Sequence, residues 1–276
     1  MKSHLVDKIG VICIESPFLS VMFIMRIANL IVPLLILNSS CTSQPEKVGD
    51  SPPSHQIWTE LLGQYVTPDG LVKYKEMISD KDRLNQYLGI LSENAPNPET
   101  WTREEQLAYW INAYNAFTVK LIVDNYPLKS IKDLHPVNIP FVSSVWQKKF
   151  FKIGNEKMNL DYIEHAVLRK QFKEPRIHFA INCASLSCPE LLNEAYVPGK
   201  IEEQLQKQTV KFINDIKRNK ITASEIRLSK IFSWFKKDFT REKKLTDFIN
   251  QYSKTAVGRG VDIGYLDYSW DLNEGK

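Results

Sequence analysis

Glycine-rich turns, internal repeats and blocks of like charge are all missing from this 276-residue chain. A phosphate cradle needs clustered glycines ahead of a helix, and the eleven glycines here form no such motif. A nucleic-acid binder needs a dense basic face. The formal charge is only +4, and pairs such as Lys148-Lys149, Lys236-Lys237 and Lys243-Lys244 stand apart as solvated faces. No nucleic-acid partner is expected. Cysteine is also scarce: Cys13, Cys41, Cys183 and Cys188 are the whole complement. Four cysteines are too few for a disulfide scaffold in a chain long enough to bury its own core. Each therefore calls for its own explanation.

Long apolar runs are absent but for one. Residues 28–37, Ala-Asn-Leu-Ile-Val-Pro-Leu-Leu-Ile-Leu, have the length of a signal-peptide core and are too short to span a bilayer as a helix. Arg26 precedes them, and Asn38-Ser39-Ser40 leads into Cys41. Small residues before a cysteine form the pattern cut by the lipoprotein signal peptidase, so Cys41 is the expected lipidation site. Met25 stands directly before Arg26 and is an alternative start. The expected organisation is a leader over 1–40, a lipidated cysteine and flexible tether over 41–54, and a single globular domain over 55–276. The expected location is the cell envelope, with the membrane as partner through the lipid anchor on the periplasmic side or the outer membrane. Two or three acyl chains hold a protein firmly where one does not.

What is present beyond the tether reads as a mixed α/β (α+β) domain, rich in helix, with a small, mainly antiparallel sheet. Ile57, Trp58, Leu61 and Leu62 predict a helix over 55–65, and Pro68-Asp69-Gly70 a hairpin turn over 65–74. Leu84, Tyr87, Leu88 and Leu91 predict a helix over 81–93. Thr102 with Glu105 forms a capping box ahead of a long apolar stripe running to Tyr126-Pro127, which marks the core helix. A second hairpin is expected around Gly154-Asn155, a helix over 161–172 capped by Asp161, a strand over 176–183, and a short helix opened by Pro189. A long helix over 198–219, a strand over 221–228, helices over 231–239 and 245–252, and an extended end over 261–272 complete the reading.

Three segments concentrate polar and nucleophilic residues. They are Trp110-Ile-Asn112-Ala-Tyr114-Asn115-Ala, Ile163-Glu164-His165-Ala-Val-Leu168-Arg169, and Arg176-Ile-His178-Phe-Ala-Ile-Asn182-Cys183-Ala-Ser185-Leu-Ser187-Cys188-Pro189. With the early hairpin, Pro127-Leu-Lys-Ser-Ile131 and the Tyr-Ser-Trp270-Asp-Leu-Asn ending, they resemble the bacterial family known as domain of unknown function 547, from about His55 onward. The resemblance implies an α/β domain, often carried on secreted lipoproteins, with likeness to thiol peptidases and transglutaminase-like enzymes (a papain/transglutaminase-like fold).

The expected chemistry starts at Cys188. If Pro189 opens a helix, Cys188 sits at its N-terminus, where the dipole and free N–H groups favour a thiolate and a developing oxyanion. The base must be a histidine nearby, His165 or His178. His165 is favoured because it lies in the more distinctive segment. On a regular strand His178 shares a face with Ala180 and Asn182, which leaves Cys183 facing the core as a structural thiol. Glu164 cannot orient the histidine beside it, because adjacent helical side chains diverge. Asn112, or Asn115, is the expected third member of a Cys-His-Asn arrangement. Arg169 and Ser185 are supporting candidates.

The plain alternatives stand beside these. The histidines are then satisfied polar residues, the asparagines satisfy buried backbone, and Glu164 and Arg169 form an ion pair. Cys183 and Cys188 could also bond to each other outside the cytoplasm, which leaves no nucleophile. A metal set of His178, Cys183, Cys188 and His165 has no zinc spacing, and neither metal nor cofactor is expected. Two functions follow: a thiol-dependent hydrolase or acyl-transfer enzyme acting on peptides or amides, or a non-catalytic module that binds a peptide, glycan or partner protein in the same cleft.

Overall fold

The computed structural model describes residues 51–136, 144–258 and 260–275. The leader, the alternative start and Cys41 lie outside the described residues. Helix α1 (Gln56–Tyr65) buries Trp58, Leu61, Leu62 and Tyr65. Helix α3 (Lys81–Glu93), which follows a short turn of helix α2 (Tyr74–Met77), buries Leu84, Tyr87, Leu88 and Leu91, the stripe its spacing predicts. Trp58 and Tyr87 stack with ring centroids 5.7 Å apart. The intervening turn keeps Gly70 at φ 75°, and a β-carbon there would meet the Glu190 side chain at 2.3 Å. Only glycine satisfies both demands.

Helix α4 (Arg103–Asn125) carries the predicted capping box between Thr102 and Glu105. It is buried on every face from Leu107 to Val119. A helix enclosed all round must bury whatever polar groups it carries, and Asn112 and Asn115 are the ones at issue. Strands β1 (Phe151–Ile153) and β2 (Glu156–Met158) form the second predicted hairpin, with Phe151 opposite Met158. Phe151 stacks on Phe117 of α4 with centroids 3.9 Å apart.

Residues Tyr162–Phe172 are helical as expected but wound with the wider π spacing, a form that recurs at functional sites. Asp161 does not cap this helix: its own backbone is helical, and the Asn159 side-chain oxygen accepts the Tyr162 N–H instead.

Two expectations fail in the next stretch. Residues 176–183 are not a strand. Pro175 and the Glu174 carboxylate, which accepts the Arg176 N–H, wind Pro175–Phe179 into a 3₁₀ helix, and an irregular loop follows. Pro189 opens no helix, because its carbonyl closes a loop by accepting from the Asn182 amide at 2.7 Å. Alternating strand faces therefore do not separate His178 from Cys183, and no helix dipole acts at Cys188.

Helix α5 (Ile201–Ile213) ends earlier than its periodicity suggests. The expected strand over 221–228 is a tight hairpin of β3 (Lys220–Ile221) and β4 (Ile226–Leu228). Strand β5 (Ile263–Tyr265) adds parallel to β4, so this second sheet is mixed, while β1–β2 is antiparallel. Short helices α6 (Ile231–Trp234), α7 (Lys236–Phe239) and α8 (Leu245–Asn250) lie between. The fold is thus helix-rich with a small antiparallel sheet and a separate mixed sheet.

Two apolar clusters hold it. The larger gathers α1, α3, α4, the first hairpin and the π-helix; the smaller gathers Phe179, Phe212, Phe232, Phe239 and Phe248 with the second sheet. Among the described residues no helix is long and apolar enough to cross a membrane.

Candidate functional site

Between the π-helix, the 3₁₀ helix, the loop after it and helix α6 lies a cleft of about 190 Å³. It is lined by Glu164, His165, His178, Cys183 and Cys188 and by the aromatics Trp146, Trp234, Tyr268 and Trp270. The aromatics form a chain of rings: Trp270 lies 5.4 Å from Trp146, 5.9 Å from Trp234 and 4.8 Å from Tyr268. Trp234 remains 48% exposed.

His178 is the central polar group. Its side chain is 1% exposed and its ring stacks on Phe235 with centroids 4.0 Å apart. Nε2 lies 2.8 Å from Asp238 Oδ2. A carboxylate takes a proton donor, so Nε2 carries the hydrogen and Nδ1 is left with a lone pair. That Nδ1 is buried and has no hydrogen-bond partner; the nearest carboxylate, Glu164 Oε1, is 4.0 Å away. Burial lowers the His178 pKa, and the Asp238 hydrogen bond opposes the shift without reversing it.

Asp238 is gripped from a second side. Arg169 donates Nε at 2.6 Å and Nη2 at 3.2 Å in a planar fork. Burial alone would raise the Asp238 pKa, but the hydrogen bonds from His178 and Arg169 win and hold it well below the usual carboxylate range. Arg169 therefore spends its fork on Asp238, and the expected Glu164–Arg169 pair gives way to this one.

Glu164 is left without a close cation. Burial pushes its pKa up to about 7, against the pull of Arg169 and with a further push from Asp161. Tyr114 Oη donates to it at a long 3.4 Å. A carboxyl that shares its proton near neutrality beside an imidazole with a free lone pair is equipped to move protons.

His165 is differently placed. It is 40% exposed, accepts from Arg169 at Nδ1 (2.8 Å) and faces Asp161 Oδ1 with Nε2 (3.3 Å). Burial lowers its pKa, with Asp161 opposing and Arg169 adding to the shift. Both ring nitrogens are engaged, so His165 has no free atom with which to take a proton from a thiol.

Cys183 and Cys188 are joined as a disulfide, with Cα atoms 6.1 Å apart. Neither is a free thiol in this state. The Cys183 backbone N–H points at Cys188 Sγ (2.9 Å), and Tyr268 Oη lies 3.3 Å from Cys183 Sγ. The loop between the cysteines holds Ala184 at φ 59°. A residue with a β-carbon in that region costs about 1–2 kcal/mol, and such strain concentrates at working sites. Asn182 maintains the turn, accepting the Ala184 N–H at 2.8 Å.

Asn112 does not orient a histidine. Its amide donates to Tyr196 O (2.7 Å) and accepts Tyr196 N–H (3.0 Å). Asn115 is spent in the same way on Ala180 O and Asn182 N–H, which fixes the loop entering the disulfide. A buried helix has to place its polar side chains on backbone groups that would otherwise be unpaired, and that demand takes both amides. Ser185 is buried and donates to Ser269 O at 3.0 Å, another loop tie. Among the described residues no three His, Cys, Asp or Glu side chains are grouped to hold a metal ion.

Sequence reasoning thus brought Glu164, His165, His178, Cys183 and Cys188 to one cleft but missed Asp238. Residues 98–213 match the family described as protein of unknown function, DUF547. The match takes in all three polar segments and is shorter than the resemblance from His55 onward suggests. Trp234, Tyr268 and Trp270, which line the cleft, and Asp238, which holds His178 without lining it, lie beyond it. No curated protein and no solved structure matches the chain. The one signal for Asp238 was an acidic residue set between aromatics in Trp234-Phe-Lys-Lys-Asp238-Phe239, which reads as an exposed helix face until the fold brings His178 to it.

Proposed function

We propose that this cleft is the working site of a thiol-dependent hydrolase or acyl-transfer enzyme acting on peptide or amide bonds. The observation that carries the reading is His178, which lines the same cleft as Cys183 and Cys188, has an unpartnered Nδ1 and is held at Nε2 by Asp238. The roles differ from those the sequence suggests. His178 replaces His165 as the base, and Asp238 replaces Asn112 as the group that holds the imidazole.

In the reduced protein the Cys188 thiol gives its proton to His178 Nδ1, and the thiolate attacks the substrate carbonyl carbon. The carbon–nitrogen bond then breaks, the imidazolium protonates the leaving amine, and Asp238 stabilises the imidazolium while it lasts. Water, or an acceptor amine in the transfer case, releases the acyl group, with His178 again taking the proton. Glu164, near neutrality in its proton affinity, supplies a second proton store within 4.0 Å of the imidazole. The implied likeness to thiol peptidases and transglutaminase-like enzymes agrees with these roles.

A second reading rests on the disulfide: a module that binds a peptide, glycan or partner protein against the cleft's tryptophans and performs no chemistry. One experiment separates them. The reduced protein is mixed with a p-nitrophenyl ester, and the acyl group is located by peptide mass. Acylation at Cys188 that His178→Ala abolishes supports the enzyme; a reduced, folded protein that is never acylated at either cysteine leaves the binding module.

The same proposal places the domain at the cell envelope, tethered through lipidated Cys41, as the leader pattern at residues 26–41 suggests. Cys41→Ala is expected to move the protein from the membrane fraction to the soluble one, and retention of that variant on membranes would contradict the anchor.

A further inference from the structure

The bond between Cys183 and Cys188 closes a loop with a sequence separation of only 5. Cross-links stabilise by restricting the unfolded chain, and a loop this short restricts it least. The loop is in any case tied by other means. Asn182 spans it, donating to Pro189 O and accepting the Ala184 N–H; Leu186 N–H donates to Asp271 O; and Arg218 donates to Cys188 O at 2.8 Å. A staple here is redundant. Its position is not, because both cysteines line the cleft that His178 also lines.

The two sulfurs are unequal. Cys188 is 4% exposed, and the Cys183 N–H already points at its sulfur from 2.9 Å. A donor so placed stabilises a thiolate. Cys183 is the more open of the two, and its sulfur faces the Tyr268 hydroxyl. Burial pushes the Tyr268 pKa up, so that hydroxyl keeps its proton.

We infer that the Cys183–Cys188 disulfide is a reversible redox gate on the cleft, opened by a dithiol reductant that attacks Cys183 and frees Cys188 as the thiolate. The inference rests on the thiol-enzyme reading above and adds its regulation. In the first step the reductant's thiolate bonds to Cys183 Sγ, the Cys183–Cys188 bond breaks, and its electron pair stays on Cys188 under the Cys183 N–H. In the second, the reductant's other thiol loses its proton and closes on its first sulfur. That displaces Cys183, which takes a proton from solvent. Two electrons pass to the cysteine pair, and the reductant leaves as its own disulfide. While the gate is shut, Cys188 cannot attack a carbonyl.

The test uses the full chain purified without reductant. It is treated with dithiothreitol under native conditions, pulsed with iodoacetamide across pH, and mapped by peptide mass, with tryptophan fluorescence as the check on folding. Neither cysteine is expected to label before reduction. Afterwards both label in a protein that keeps its fold, Cys188 faster, with a midpoint below the ordinary thiol value of about 8.5. Removing the dithiol in air restores the unlabelled state. Labelling that requires denaturant, or an ordinary pH profile at Cys188, overturns the gate and makes the bond a plain staple.

Cys183→Ser separates this failure from failure of the enzyme reading, with p-nitrophenyl acetate as the probe. If the wild-type bond resists dithiol in the folded state while Cys183→Ser is acylated at Cys188, the gate falls and the enzyme stands. If reduction proceeds as described and neither protein is acylated, the gate opens on a thiol without that chemistry, and the enzyme falls.

Discussion

The fold encloses two sets of polar side chains, and they are finished in opposite ways. Asn112, Asn115 and Asn182 each spend their amides on backbone groups of the loops beside them, at 2.7 to 3.0 Å. His178 is as deeply set and Glu164 less so, with its side chain 12% exposed, and both are left incomplete. Nδ1 of His178 has no partner, and Glu164 has a proton affinity raised by burial rather than a matching cation. Leaving a buried polar atom unpaired costs about 1–3 kcal/mol. Trp58 Nε1 and Tyr196 Oη are also buried without a partner, but of these three residues only His178 lines the cleft, and on the proposed reading its Nδ1 serves a group that enters there. On that reading, the asparagines shape the site and the acid–base groups do its chemistry.

Breaking that comparison is straightforward, because the two sets should fail in different assays. The largest effect is expected at Asp238. Asp238→Asn presents an amide to Nε2, disturbs the tautomer that leaves Nδ1 open, and loosens the grip on Arg169. Acylation of the reduced protein should fall by about 10³-fold or more, as when the orienting carboxylate of a catalytic histidine is lost, and initial rates with a p-nitrophenyl ester measure it. Asn112→Ala strips the partners from Tyr196 N–H and O, and should cost about 2–4 kcal/mol in urea unfolding. The rate per folded molecule should hardly change. A variant that keeps its stability and loses its rate would erase the distinction between the two sets.

Glu164 sharpens the comparison through pH. Its proton is held more tightly in the fold, up to about 7, than in the unfolded chain near 4.5. Its stabilising contribution is therefore complete below about 4.5 and is lost as pH rises through about 7. Glu164→Gln should raise stability by about 1–2 kcal/mol at pH 8 and leave it little changed at pH 4, read from urea midpoints at the two pH values. His178 acts in the other direction. Its folded pKa is lowered, so its contribution is present above the ordinary histidine value of 6.5 and is lost as pH falls below it. The smallest effect is expected at His165. His165→Ala removes a half-exposed ring whose nitrogens serve Arg169 and Asp161, so acylation should stay within about threefold and stability within about 1 kcal/mol.

Much of this was legible in the sequence where local rules decide. The capping box at Thr102, the buried stripe of α3 and the Gly154 hairpin follow from side-chain spacing and turn chemistry, which neighbours in space do not override. The stretch from Arg176 to Val197 is where local rules ran out. Its alternating apolar residues look like a strand, but among the described residues it pairs only through one isolated bridge, Ser185 with Leu272. Pro175 and Glu174 bend it, and Asn115 and Asn182 hold it as a loop. The cleft shows the same limit. Glu164, His178 and the two cysteines are legible as candidates because they crowd into short segments. Asp238 stands 60 residues from His178 in sequence, and only the tertiary fold pairs them. The preference for His165 over His178 came from the segment it sits in, and burial, which decides which imidazole keeps a free lone pair, is not written in a segment.

The proposed chemistry requires that His178, which lines the cleft, keep an unprotonated Nδ1 while Asp238 holds its other nitrogen. Long-range ¹H–¹⁵N NMR of the imidazole nitrogens, followed through a pH titration, tests this directly. The account predicts a neutral ring at pH 7 with the proton on Nε2, a bare Nδ1, a midpoint below 6.5, and loss of that tautomer preference in Asp238→Asn. A His178 ring protonated on both nitrogens at pH 7, or one carrying its proton on Nδ1, would contradict it.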